Sequence, residues 1–203
     1  MKRIGRFVTL GLLLQALAAC GQLAPTEAGD RPSASQEPGA ELLGLPLPGP
    51  LPQRWIGEPV EIGAGRATLI RFWTDTCPYC SASLPAVEAL AREYGPRGLQ
   101  TVGIYHPKPP REVDDEAIAA DARERGYSGP LAVDPRWATL RQLWLDGGSR
   151  SATSASLLVD RQGVVRAVHP GPEFHASDDP AHARCDADDR ALRKAIEGLL
   201  DEG

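Results

Sequence analysis

The chain has 203 residues, 42% of them hydrophobic and 24% charged, and carries a net charge of −5. That acidic balance argues against nucleic-acid binding, which needs a basic surface, and against electrostatic docking on anionic lipid. Four cysteines are too few for a miniprotein held together by disulfides.

Lys2, Arg3 and Arg6 precede a short apolar run from Phe7 to Ala19. The run is well below the roughly 20 residues that a bilayer span takes. It ends in Leu17-Ala18-Ala19-Cys20. This order resembles a bacterial lipoprotein signal, in which the cysteine is lipidated and becomes the new N-terminus. The resemblance implies a signal peptide over residues 1–19, lipidation at Cys20 and anchoring to a membrane surface outside the cytoplasm. With Gly21 next in the chain, it further implies the outer membrane if the cell is Gram-negative. Loss of the leader removes three of the 22 basic residues and leaves 19 against 27 acidic ones, a net of −8.

Residues 20–52 hold seven prolines, at Pro25, Pro32, Pro38, Pro46, Pro48, Pro50 and Pro52, and show no apolar periodicity. Such a stretch buries too little to fold and reads as a semi-rigid tether. Residues 53–203 form the candidate domain, about 150 residues and enough for one core. Within it, Pro59–Ile62 reads as a short edge strand and Thr68–Trp73 as a buried strand. Leu84, Val87, Leu90, Ala91 and Tyr94 recur at helical spacing from Ser81 until Gly95-Pro96. Gln100–Tyr105 is a second strand, Glu112–Arg125 a charged helix, and Leu131–Asp134 a short strand. Asp134-Pro135 predicts the start of a helix carrying Trp137, Leu140, Leu143 and Trp144. Ala155–Val159 and Val164–His169 are strands joined by Asp160-Arg161-Gln162-Gly163, a hairpin signal. Asp189–Leu200 closes the chain as a helix. Early β-α-β alternation predicts a parallel core, and the hairpin adds antiparallel strands. The class is α/β, with a mixed central sheet flanked by helices.

Cys77-Pro78-Tyr79-Cys80 lies between the first buried strand and the first helix. A helix N-terminus offers unpaired N–H groups and partial positive charge. Both stabilise a thiolate, which is the nucleophile of thiol-disulfide exchange. A second cysteine one turn on can close a disulfide and release a bound partner. Cys77 and Cys80 are therefore the candidate catalytic pair. A structural disulfide or half a zinc site is the alternative, but zinc is better served by a second Cys-x-x-Cys, which this chain lacks.

The element order and the placed motif resemble the thioredoxin fold. The closer resemblance is to the TlpA/ResA-like group of membrane-anchored bacterial thiol-disulfide oxidoreductases, whose fold carries an extra helix-strand insert. It rests on Leu69-Ile70-Arg71-Phe72-Trp73, the Cys77–Cys80 motif, Leu84-Pro85, Leu131-Ala132-Val133-Asp134 and Leu157-Leu158-Val159-Asp160-Arg161-Gln162-Gly163. It implies no bound cofactor, substrates that are protein thiols or disulfides such as apocytochromes or metallochaperones, and a membrane electron donor.

The chain departs from that group at several positions. Ser154 stands where the group has a cis-proline facing the motif, and a cis bond before a non-proline residue is costly, so the Thr153–Ser154 bond is expected to be trans. Thr76 replaces a common tryptophan and Ser83 a common acid. Arg71 stands where thioredoxin has a buried acid. Two readings of Arg71 are open. Within about 6 Å of Cys77, at an effective dielectric of about 20, it stabilises the thiolate by on the order of 2–3 kcal/mol and makes the pair less reducing. On the other face it pairs with a carboxylate.

Auxiliary candidates are His106, as a proton relay or ligand at a strand end, and Cys185, expected to stay outside the active disulfide. Nearby Asp186, Asp188 and Asp189 disfavour a Cys185 thiolate. His169, His175 and His182 lie close by in sequence, so a metal site with Cys185 is possible chemistry. The leading expectation is an envelope thiol-disulfide oxidoreductase. A copper chaperone using the Cys pair with a histidine, and a thiol peroxidase, are the alternatives.

Overall fold

The computed structural model describes residues 37–49, 51–147 and 150–202, the side chain of Ser81 apart. The expected signal peptide, Cys20 and the first part of the expected tether lie outside the described residues. Six strands form one sheet in the order β1-β4-β3-β2-β5-β6. They are β1 (Arg54–Ile56), β2 (Ala67–Trp73), β3 (Leu99–Tyr105), β4 (Leu131–Val133), β5 (Ser156–Val159) and β6 (Val165–His169). β2, β3 and β4 run parallel, while β1, β5 and β6 pair antiparallel. The mixed sheet of the sequence reading is thus present. So is its insert: α2 (Asp115–Glu124) and β4 follow β3.

β2 is buried along its whole length, as a central strand must be. Its alternation sorts the core. Ala67, Leu69 and Trp73 join Leu84, Val87 and Leu90 of α1 (Pro78–Tyr94) and Leu192 and Ile196 of α4 (Ala183–Asp201). Ile70 and Phe72 pack on the other face with Leu140, Leu143 and Trp144. The Cys77–Cys80 motif sits at the C-terminal end of β2, at the start of α1.

Several boundaries differ from expectation. The edge strand is β1, not Pro59–Ile62. Gly57, Gly63 and Gly65 all have positive φ, and a chain bent at three such points cannot run straight. α2 begins at Asp115 because Asp114 caps it, its Oδ1 accepting from Ala117 N at 2.8 Å. The helix expected from Asp134-Pro135 is broken into α3 (Ala138–Leu140) and a π-helical turn, Arg141–Leu145. The N-cap of α3 is Trp137 rather than Asp134, although the Asp134 carboxylate still accepts from Leu140 N at 2.8 Å. Trp137 instead takes φ 61°, which sends its Nε1 to Pro107 O at 2.7 Å. α4 starts at Ala183, six residues before the expected Asp189. Its first half has no apolar stripe and is supported by Arg184–Asp188, Asp186–Arg190 and Asp189–Arg193 pairs at helical spacing.

The expected tether also changes at its end. Leu42, Leu47 and Leu51 pack against the second core. Val165 N donates to Leu45 O at 2.9 Å and Gly44 N to Val165 O at 2.8 Å, so this segment extends the β6 edge. The folded unit therefore begins well before residue 53.

Candidate active site

Cys77 is the N-cap of α1 and Pro78 its first residue. Proline suits that position, since its φ is already helical and the missing N–H has no partner to lose. The turn then places Cys80 one step inward, its N–H donating to Cys77 O at 3.1 Å. The result is an asymmetric pair. Cys77 is partly exposed, Cys80 is fully buried and Tyr79 between them is 49% exposed. All three described cysteines, Cys77, Cys80 and Cys185, are free thiols.

The pair shares one proton unequally. The Cys80 S–H donates to the Cys77 sulfur, and this is the main reason the Cys77 pKa is lowered to about 6. The N–H groups of Cys80 and Tyr79 and, more weakly, Arg71 act in the same sense, while burial opposes them. Holding that proton for Cys77, together with burial, pushes the Cys80 thiol far up, and Arg71 pulls it back. Two thiols coupled this closely titrate as a unit.

Arg71 settles on the dithiol side. Strand alternation puts it on the β2 face of Leu69 and Trp73, toward α1, where it is completely buried. The thiols nearest it electrostatically are Cys80, then Cys77, with Glu173 after them. Of the two thiols Cys80 interacts with it more strongly, and Arg71 is the least of these influences that lower the Cys77 pKa. The guanidinium also ties three segments together. It donates to Ser154 O and to Ser156 Oγ (3.2 Å), to Ser83 Oγ (3.0 Å) and to Pro172 O (2.7 Å). It stacks 5.5 Å from the centre of the Phe174 ring. Among the described residues no carboxylate forms an ion pair with it. Desolvation accordingly lowers its pKa.

Ser154 contributes to this centre through its carbonyl. The cis peptides of the described residues are at Lys108–Pro109 and Gly171–Pro172, so the bond before Ser154 is trans as expected. Ser83 does more than stand in for an acid. Its hydroxyl donates to Tyr79 O and accepts from Arg71 and from Phe174 N. Nothing in the sequence pattern pointed to Pro172 and Phe174, because their positions depend on how the chain returns after β6.

The remaining candidates separate. His106 continues the alternation of Val102 and Ile104, away from α1, and its ring packs edge-on against Trp137 at 5.6 Å. Both ring nitrogens are buried, and neither has a side-chain hydrogen-bond partner among the described residues. Burial, with Lys108 and Arg71, lowers its pKa to about 3. His106 is thus a neutral ring packed against Trp137 on the sheet face of Val102 and Ile104. Cys185 donates to Glu173 Oε1 at 3.5 Å. Its thiol is pushed up chiefly by burial and by Glu173, with Asp188 a lesser contributor, so Glu173 replaces the aspartates as the main neighbouring anion. His169 is buried against Phe174, while His175 and His182 lie 4.9 Å apart, centre to centre.

A mixed sheet with a partly exposed acidic thiol and a buried partner at the first helix defines a thioredoxin-like protein. The family model described as Redoxin matches residues 56–183, and the chain belongs to that family. Protein DipZ of Mycobacterium bovis is 29% identical over 116 residues, 56% of this chain and 16% of DipZ. The chain thus spans about a sixth of that relative's length. Thiol-disulfide oxidoreductase YkuV of Bacillus subtilis is 26% identical over 106 residues, covering 52% of this chain and 68% of YkuV. Among solved structures, a thioredoxin-like protein in its oxidised form superimposes with a TM-score of 0.57 at 21% identity, over 77% of this chain and 95% of that one. The fold is thioredoxin-like.

Proposed function

We propose that this protein is a membrane-anchored, extracytoplasmic thiol-disulfide oxidoreductase acting on protein thiols and disulfides. The observation that carries the reading is the split of the pair into a partly exposed, acidic Cys77 and a buried, proton-holding Cys80. The Cys77 thiolate attacks a substrate disulfide. One S–S bond breaks, a Cys77–substrate bond forms, and one substrate thiolate leaves. Cys80 then gives up its proton, for which the departing thiolate is an acceptor. Its thiolate, stabilised by Arg71, attacks Cys77 Sγ. The intramolecular disulfide closes and the second substrate thiol is released. Two electrons and the Cys80 proton have passed to the substrate, whose second sulfur leaves as a thiolate and takes its proton from solvent; the reverse sequence oxidises a substrate dithiol. A membrane electron carrier resets the pair.

Trapping tests this directly. A Cys80→Ser variant is expected to accumulate a mixed disulfide through Cys77 that mass spectrometry identifies. If nothing is trapped while Cys77 remains alkylatable, the exchange reading fails. Anchoring has its own test. Cys20→Ser is expected to leave the membrane fraction; a variant that stays membrane-bound at wild-type size removes the lipid anchor. The copper-chaperone alternative needs a histidine beside the pair, and His106 instead packs its ring against Trp137. Thr74 and Thr76 lack the usual peroxidase spacing, so the peroxidase alternative has no support either.

A further inference from the structure

The segment after β6 and the start of α4 bring four ligating side chains together. One donor atom from each of Glu173, His175, His182 and Cys185 lies within 4.8 Å of every other. Backbone geometry explains the convergence. Phe174 is fully buried, with its N–H donating to Ser83 Oγ at 3.2 Å. Its neighbours Glu173 and His175 are both half-buried on the cluster, the i, i+2 relation of an extended chain. His182 is the N-cap of α4 and Cys185 lies in its first turn, three residues on and on the same side.

The two halves are fastened to each other. His175 N donates to Cys185 O at 3.3 Å and Ser177 N to Asp186 Oδ1 at 3.2 Å. Asp179 caps the turn that delivers His182, accepting from Ala181 N at 2.9 Å. The tautomer of one ring is also set by its surroundings. His175 Nδ1 lies 3.1 Å from Ala176 O. A carbonyl only accepts, so Nδ1 carries the hydrogen and Nε2 is left with a free lone pair.

We propose that Glu173, His175, His182 and Cys185 form a zinc(II) site, separate from the Cys77–Cys80 pair. Two imidazoles, a thiolate and a carboxylate are all ordinary zinc ligands, and four ligands complete a tetrahedral structural site. Their negative charges match the ion's, so the bound site is neutral. Ligands around a tetrahedral zinc stand roughly 3.3–3.7 Å apart at the usual bond lengths, so closure asks for a contraction of about 1 Å. Binding displaces the Cys185 proton to solvent and involves no electron transfer. Zinc here staples the chain return that carries Pro172 and Phe174 to the start of α4. Those two residues are Arg71's acceptor and stacking partner.

The test uses the full chain with Cys77→Ser and Cys80→Ser, so that the dithiol cannot compete for metal and failure of the redox reading leaves the result intact. Titration with zinc against a chromophoric chelator is expected to show one ion retained per chain at sub-micromolar free zinc, with a raised unfolding midpoint. Adding Cys185→Ala, or separately His182→Gln, is expected to weaken retention by more than the roughly ten- to hundredfold of an outer-shell change. Circular dichroism checks that both variants are folded. Cobalt(II) in place of zinc is expected to give a thiolate charge-transfer band that Cys185→Ser abolishes. No retention at low-micromolar free zinc overturns the site, as does retention that neither substitution weakens.

Discussion

Arg71 is a buried cation with no ion-paired carboxylate among the described residues, an arrangement that is costly unless an anion is supplied. The anion that acts on it most strongly is a thiolate of the pair, ahead of Glu173, and that thiolate exists only in the reduced state. Oxidation removes it and leaves the guanidinium with carbonyl and hydroxyl partners, the Phe174 ring and the weaker pull of Glu173. The reduced state is thereby favoured, which makes the disulfide oxidising. Arg71→Met is expected to make the disulfide harder to reduce. The glutathione equilibrium constant should move at least about tenfold, which is about 30 mV for a two-electron couple; no change, or a shift the other way, refutes the argument. The same residues order the effects on Cys77. In the wild type, alkylation should rise with pH through about 6, because the thiolate reacts. Cys80→Ala, which removes the S–H donor, is expected to raise that midpoint more than Arg71→Met does. The reverse order would mean that the cation, not the shared proton, sets the thiolate.

Secondary structure was legible where it carried its own pattern. β2, β3 and α1 are apolar at periods of two or 3.6 and were found within a few residues. The start of α4 was hidden, because charge pairs rather than an apolar stripe support it. The segment before residue 53 differs from expectation for a related reason: its prolines suggest a tether, yet Leu42, Leu47 and Leu51 among them pack on the second core at a spacing that no local pattern announces. Likewise the Cys77–Cys80 pair was legible from spacing alone, whereas the sides taken by Arg71 and His106 depended on register, and Pro172 and Phe174 on the chain's return after β6. The packed segment gives a prediction of its own. Gly39 has φ 91°, and a Cβ there would sit 2.6 Å from the Trp144 ring. Gly39→Ala is expected to destabilise by about 1–3 kcal/mol through strain and overpacking. A chain starting at Gln53 should lose about 2–4 kcal/mol as Leu42, Leu47 and Leu51 leave the second core. Urea unfolding of both against the full chain measures this; unchanged midpoints would return the segment to the role of a tether.

Stability of the whole molecule against acid follows from its buried histidines. His106 and His169 each have a pKa lowered to about 3, mainly by burial, against about 6.5 in an unfolded chain. Between those values the unfolded chain binds the proton and the folded one does not, so stability rises with pH. Each ring's contribution is complete above about 6.5 and is lost as pH falls toward 3, at up to about 1.4 kcal/mol per pH unit. His106 gives the cleaner test, since the charged groups acting on it are Lys108 and Arg71, which oppose protonation, and Asp75, which favours it least. His169 has Asp188 3.5 Å away, a group whose own carboxyl is pushed up by burial. The reduced protein adds a second slope, because the lowered Cys77 pKa stabilises the fold at alkaline pH and that gain fades as pH drops through about 6. The measurement therefore belongs on the oxidised protein, where Cys77 does not titrate. Urea midpoints there are expected to fall steadily from pH 7 to pH 4, and His106→Phe, which keeps an aromatic face for Trp137, should flatten that fall. If wild type and variant lose stability in parallel, the His106 ring is accepting its proton within the fold, and the reading of a dry, neutral histidine behind the sheet is wrong.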